Sequence, residues 1–265
     1  MTHRRIVVAI AICALALSGC NDPKAAPESH ATWRDVITSP KPVPREESAP
    51  SPTPPKPPTS PKKPAPRPRT GPHGSVITTG SDGVGLTFDD GPSPAWTPKV
   101  LALLRRARVK ATFCLVGLEV QRHPGLVQAI VRDGHTLCNH SWDHDLRLGS
   151  RKPGEIKANL ARTNRAILRA VPGARIGYYR QPGGVWTARA VGVARSMGMT
   201  PLHWSVDPQD WRKPPAHQIS GTVLRHTRKG SVVLLHDGGG DRHTTYHALR
   251  TVLPQLTRRF RLVSL

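Results

Sequence analysis

No recognisable nucleic-acid motif stands in this 265-residue chain, and no GxGxxG follows its first strand-like run. The first absence leaves a basic chain without a nucleic-acid reading. The second argues against a dinucleotide-binding Rossmann sheet, the alternative fold for a chain of alternating strands and helices. No internal repeat is visible. The N-terminal apolar run, residues 6–17, is too short for a comfortable membrane span. Acidic residues are scarce: 17 Asp and Glu face 39 Lys and Arg, a formal net charge of +22. Charge speaks to partners rather than to fold, and this sign fits an anionic cell wall or membrane surface.

What is abundant is proline, and most of the 28 fall between residues 21 and 72. That stretch interleaves proline with Ser, Thr, Ala, Lys and Arg and has almost no apolar periodicity, so it cannot bury a core. It reads as a disordered linker. Proline favours extended polyproline II at ~3.1 Å per residue, so the linker reaches on the order of 100 Å. Before it, Arg4 and Arg5 open a signal-like segment that ends Leu17-Ser18-Gly19-Cys20. This ending resembles a bacterial lipobox, which implies cleavage after residue 19 and lipidation of Cys20; the other reading is an ordinary secretory signal. The expected domains are a signal peptide (1–19), a lipidated linker (20–72) and a globular domain (73–265). The expected location is the outer face of the cell membrane, with the domain reaching into the wall.

Within the globular part, strand-like runs at 76–79, 84–88, 111–116, 135–138, 177–179, 200–206, 231–235 and 261–265 alternate with helix-like runs at 98–108, 125–132, 153–169, 187–197, 217–228 and 245–260. Alternation of this kind argues for an α/β fold of parallel strands with crossover helices. Chemistry-bearing residues sit just after the strands, where active sites of such folds collect. Thr87-Phe88-Asp89-Asp90-Gly91 sets two carboxylates side by side; adjacent anions repel unless one is protonated or a cation faces them. In His140-Ser141-Trp142-Asp143-His144 the histidines are at i, i+4, which on a helical turn brings both rings to one metal. Arg180 opens Arg180-Gln181-Pro182-Gly183-Gly184 and can fix a carboxylate. Asp207-Pro208-Gln209-Asp210-Trp211 and Leu234-Leu235-His236-Asp237-Gly238 close two further strands. Each stretch alone also reads as ordinary turn or capping chemistry; parallel strands would bring all five to one rim.

These five stretches, in this order, resemble the motifs of the polysaccharide deacetylase family, the NodB-homology domain of carbohydrate esterase family four. The resemblance covers about residues 84–265 and implies a distorted (β/α) barrel that removes acetyl groups from sugars with one divalent metal ion, Zn²⁺ first and Co²⁺ or another second. It implies Asp90, His140 and His144 as metal ligands and Asp89 as general base, oriented by Arg180. It implies His236 as general acid, oriented by Asp210. It further implies a Gly183 backbone N–H for the oxyanion, and a pocket of Trp211 and Leu234 for the acetyl methyl. The family's usual Arg-Pro-Pro-Tyr-Gly is Arg-Gln-Pro-Gly-Gly here, which removes a ring from the cleft wall. Cys114 and Cys138 fall on what the resemblance makes neighbouring strands, and an exported domain permits a disulfide between them. The expected substrate is N-acetylated cell-wall glycan, peptidoglycan first, chitooligosaccharide second and acetylxylan third. No nucleic acid is expected as a partner, and nothing requires more than a monomer. The rival from another class is a non-catalytic wall-binding lipoprotein on the same scaffold.

Overall fold

A computed structural model of the chain describes residues 70–265. The signal-like segment, Cys20 and all but the last three residues of the proline-rich stretch lie outside the described residues. In chain order the elements are β1 (Val84–Asp89), α1 (Thr97–Ala107), β2 (Thr112–Leu115), α2 (Gly117–Arg122), α3 (Pro124–Arg132), β3 (Thr136–Asn139), α4 (Pro153–Ala170), β4 (Ile176–Tyr179), α5 (Ala188–Ser196), β5 (Thr200–Pro201), α6 (Ala216–His226), β6 (Val232–His236), α7 (His243–Arg259) and β7 (Leu262–Val263). Among the described residues no helix is long and apolar enough to cross a membrane.

All strand pairings are parallel, in the order β5-β4-β3-β2-β1-β6, with β7 added to the start of β1. The sheet curls into an α/β half-barrel. Its two edges are joined by the chain beyond β5: Leu202 donates to the Tyr179 carbonyl on one side, and Ser205 and Val206 donate to Val232 on the other. This crossing explains a difference from the sequence pattern. Residues 200–206 read as one strand, yet only Thr200–Pro201 pairs continuously, because the rest spans the gap between β4 and β6. Residues 76–79 likewise make only isolated bridges, Val76 to Leu202 and Thr78 to Ser231. Helix α2, six residues long, has too little periodicity to be read from sequence.

Side chains alternate across the sheet. Val84, Leu86 and Phe88 of β1 and Val233 and Leu235 of β6 face outward, into the main core beneath the helices. The intervening residues, Thr87 and Asp89 on β1 and Leu234 and His236 on β6, therefore face the barrel interior. Burial on both faces is what parallel strands covered by helices demand, and every residue of β1 is buried. Deep in the interior, Cys114 and Cys138 stand directly opposite each other on β2 and β3 and are joined as a disulfide, packed with Leu202 and Val232.

Candidate metal centre and active site

The strand register brings Asp89 of β1 beside His236 of β6. Successive strand residues point to opposite faces, so two adjacent aspartates should not share a site. They do because Asp90 leaves the strand with φ 71°. That left-handed turn swings its carboxylate to the same side as Asp89, and His140 Nε2 lies 3.6 Å from Asp89 Oδ2 and 3.4 Å from Asp90 Oδ1. Room for the turn comes from the loop after β6: a Cβ on Gly239 would sit on the Asp90 carboxylate, and one on Gly238 on the Asp90 backbone.

The segment carrying His140 and His144 is not the helical turn that the i, i+4 spacing suggested. It is an irregular loop with Ser141 at φ 66° and His144 at φ 55°. Side chains tie down its backbone: Asn139 Oδ1 accepts from Ser141 N, Asn159 Oδ1 from Trp142 N, and Ser141 Oγ from His144 N. Trp142 is buried, with the Arg162 guanidinium 3.8 Å above its ring. The loop still places the rings together, centroids 5.0 Å apart. His140 Nδ1 donates to the Arg180 carbonyl at 2.9 Å, which leaves Nε2 as a lone-pair donor. His144 Nε2 is 3.2 Å from Asp90 Oδ1.

Ligand atoms of Asp90, His140 and His144 all lie within 4.8 Å of one another. Asp90 Oδ1 is buried with no hydrogen-bond partner. A carboxylate oxygen that accepts no hydrogen bond and two imidazole nitrogens that converge on it fit a cation between them. One oxygen and two nitrogens with an open side suit a catalytic divalent ion. Burial alone would raise the Asp90 carboxyl, but the His140, His236 and His144 rings hold it well below the usual carboxylate range. Burial opposes a charged His140, and the two aspartates reverse this and raise it. His144 is lowered, by burial and by the neighbouring His140.

Asp89 is held apart from that triad. Arg180, fully buried, donates from Nη1 to Asp89 Oδ1 at 2.7 Å and to Thr87 Oγ1 at 2.8 Å. Its Nε and Nη2 donate to the carbonyls of Leu202 and His203, so the guanidinium is locked in place. On the neighbouring strand, His236 Nδ1 donates to Asp210 Oδ1 at 2.7 Å, while Asp210 Oδ2 accepts from the His236 backbone N–H and from Thr245 Oγ1. Burial works to lower the imidazole's pKa, but Asp210, then Asp90 and Asp89, lift it to about 9.

Asp89, Asp90, His140, His144 and His236 line one cleft of about 520 Å³ together with Gly183, Trp204, Asp207, Trp211 and Leu234. Gly183, in a short turn after β4, adopts φ 60°. A Cβ there would meet Leu146 Cδ2 at 2.9 Å, so Leu146 fills the cleft wall where residue 183 has no side chain. Leu146, Val185 and Trp211 are among the few large apolar side chains left exposed, and all three line this cleft. Three further contributors were not singled out from the sequence: Thr87, Thr245 and Arg242. The last is buried, with Nη2 3.8 Å from Asp90 Oδ2 and bonds to the Gly238 and Gly239 carbonyls. Thr87 lies inside the first motif, but a threonine there gives no sign of binding an arginine from another strand. The other two lie outside every motif, where only the fold reveals them.

A curled parallel barrel with a carboxylate–imidazole pocket at its strand ends defines the class as a metal-dependent hydrolase. Residues 77–202 match the family model described as polysaccharide deacetylase. A chitooligosaccharide deacetylase of Bradyrhizobium sp. (strain ANU 289) is 38% identical over 192 residues, covering 68% of this chain and 87% of the relative. A peptidoglycan-N-acetylglucosamine deacetylase of Bacillus cereus is 35% identical over 177 residues, covering 66% of this chain and 82% of the relative. Among solved structures, a family-four pseudoenzyme from Bacillus anthracis is similar with a TM-score of 0.66 at 27% identity, covering 72% of this chain and 66% of that one. The chain belongs to the polysaccharide deacetylase family, with the fold and a candidate catalytic metal site of its enzymes.

Proposed function

We propose that the protein hydrolyses the acetamide of N-acetylglucosamine units in a glycan, with chitooligosaccharide its first substrate class and peptidoglycan its second. The observation that carries an enzymatic reading is the separation of two devices facing one cleft. Asp89 is locked by Arg180, and His236 on the neighbouring strand is locked by Asp210, both beside the Asp90–His140–His144 cluster. A retired scaffold has no use for two independently oriented acid–base groups. The order of substrates follows the relatives, since chitooligosaccharide deacetylases are the more similar; this reverses the order expected from export and charge alone.

In this reading Asp90, His140 and His144 hold the divalent ion, Zn²⁺ by their donor set. When bound, such an ion lowers the pKa of a coordinated water to ~7 and polarises the acetyl carbonyl. The Asp89 carboxylate takes the proton of the attacking water, and the Arg180 guanidinium holds it in place. The tetrahedral oxyanion is met by the Gly183 N–H. His236, protonated at neutral pH, gives a proton to the departing amine nitrogen, while Asp210 and Thr245 hold its ring. Leu234 and Trp211 enclose the acetyl methyl. The apolar rims of Leu146, Val185 and Trp211 offer a face on which a pyranose ring can lie.

Acetate release from chitooligosaccharide, peptidoglycan and acetylxylan tests this, each after chelation and again with Zn²⁺ or Co²⁺ restored. Metal-restored release from N-acetylglucosamine substrates is expected. Release from acetylxylan alone would make the protein an esterase. No release by folded protein that holds metal would leave the wall-binding reading standing.

The lipobox-like Cys20, the signal-like segment before it and the basic linker after it support export and anchoring at the outer face of the membrane. Cys20→Ala should then abolish incorporation of labelled fatty acid into the protein; labelling that persisted in the variant would remove the anchor from this reading.

A further inference from the structure

Six of the connections in the barrel run from a helix into the start of a parallel strand, so they all lie at the end opposite the cleft. Each carries exposed arginine: Arg106 at the end of α1, Arg132 of α3, Arg169 of α4, Arg195 of α5, Arg228 just past α6 and Arg259 of α7. The two side-chain carboxylates at that end, Asp82 and Asp133, are both ion-paired, to Lys229 and Arg105. The acidic residues gather at the other pole: Asp90, Asp143, Asp145, Asp207, Asp210 and Asp241 all follow strand ends. One cation at a helix C-terminus is ordinary, since it offsets a charge of about −0.5. Here further bases (Arg108, Lys110, Arg175, Arg261) stand beside those six, so the helix ends are more than neutralised.

We propose that this end of the barrel is an electrostatic docking face for an anionic lipid bilayer, which presents the catalytic cleft away from the membrane. The cations are distributed around a whole barrel end, not aligned along a groove, which matches a planar surface better than a polymer strand. The choice of a bilayer rests on export of the protein to the outer face of the membrane; the charge arrangement does not. The attraction of each arginine to an anionic surface decays within a Debye length, so it is sensitive to salt.

The test uses the full chain with Cys20→Ala, so that no lipid contributes. It measures co-sedimentation with vesicles of equal phosphatidylglycerol and phosphatidylcholine, and with pure phosphatidylcholine. Binding only to the anionic vesicles, abolished by high salt, is expected. The triple variant Arg106→Glu/Arg132→Glu/Arg169→Glu removes cations that make no side-chain bonds, and should lower the partition coefficient at least about tenfold. A control with the same net charge, Arg147→Glu/Lys152→Glu/Lys157→Glu, should lower it far less. Hydrogen exchange on vesicles should slow at residues 105–112 and 132–136, and not in the cleft loop 140–147. Equal losses in the two triple variants, or protection of the cleft loop instead, would overturn the proposal. So would preferential binding of a soluble polyphosphate at a salt concentration that releases vesicles. None of these readouts depends on deacetylation, so failure here and failure of the enzymatic reading are distinguishable.

Discussion

Asp89 carries two loads at once. It is the charge partner of a fully buried arginine and, in the proposed reaction, the proton acceptor. Asn at this position keeps an oxygen for Arg180 but removes the negative charge. Loss of a general base costs roughly 10²–10⁴-fold in rate, so Asp89→Asn should lose turnover by about that much and still bind metal through Asp90, His140 and His144. It should also unfold more easily, because breaking a buried ion pair from one side leaves the other charge uncompensated. Metal titration by calorimetry separates the roles: loss of binding in Asp89→Asn would place Asp89 among the ligands. His236 gives a second residue-scale expectation. Its pKa is lifted to about 9, so the proton donor is present below that pH and lost above it. A bound cation nearby opposes the lift, so the alkaline limb of kcat should fall at or below about 9. His236→Ala should abolish that limb, spare metal binding, and slow amide substrates more than esters, whose alkoxide leaving group needs a weaker acid. Equal losses on both substrate types would remove the proton-donor role.

At the scale of elements, the sequence made the alternation of strands and helices plain because each crossover unit carries its own apolar period and its own breakers. Val100, Leu101 and Leu104 of α1, for example, form one buried face. It could not show that residues 200–206 leave the sheet, since an apolar run looks the same whether it pairs or bridges a gap. Nor could it show that the His140–His144 spacing is met by a loop: i, i+4 is a helical signature, but Ser141 and His144 in left-handed conformations converge the rings another way. The motif residues were legible by their position after strands, whereas Thr245 and Arg242, three residues apart around the start of α7, belong to the site only through tertiary contact. The pairing of β2 with β3 carries a prediction of its own. The disulfide between Cys114 and Cys138 closes a loop of 24 residues, and loops of that size constrain the unfolded chain by about 3 kcal/mol. The double variant Cys114→Ala/Cys138→Ala should lose about 2–4 kcal/mol in denaturant unfolding, and the wild-type protein should show the same loss under reductant. Peptide mapping without reductant that recovers both thiols free would remove the bridge.

For the whole molecule, the metal cluster is also a tie between distant parts of the barrel. Asp90 follows β1 and both histidines follow β3, with β2 between them in the sheet. Without a cation, the buried Asp90 Oδ1 accepts no hydrogen bond and has only the His140 and His144 rings near it, which leaves part of its desolvation cost unmet. An ion that binds only the folded chain stabilises it by RT ln(1 + [L]/Kd), about 2.7 kcal/mol at a hundred times Kd. For a domain of this size each kcal/mol moves Tm by roughly 2–4 °C, so Zn²⁺ or Co²⁺ should raise Tm by about 5–10 °C over the chelated protein. His144→Ala should shrink that shift, because it removes one of three ligands. His236→Ala should keep it, because that ring is held by Asp210 and stands outside the ligand set. A shift that vanished in His236→Ala but survived in His144→Ala would reverse the assignment of the two histidines. It would also tie the metal to the end of β6 through His236, in place of the loop after β3 that carries His144.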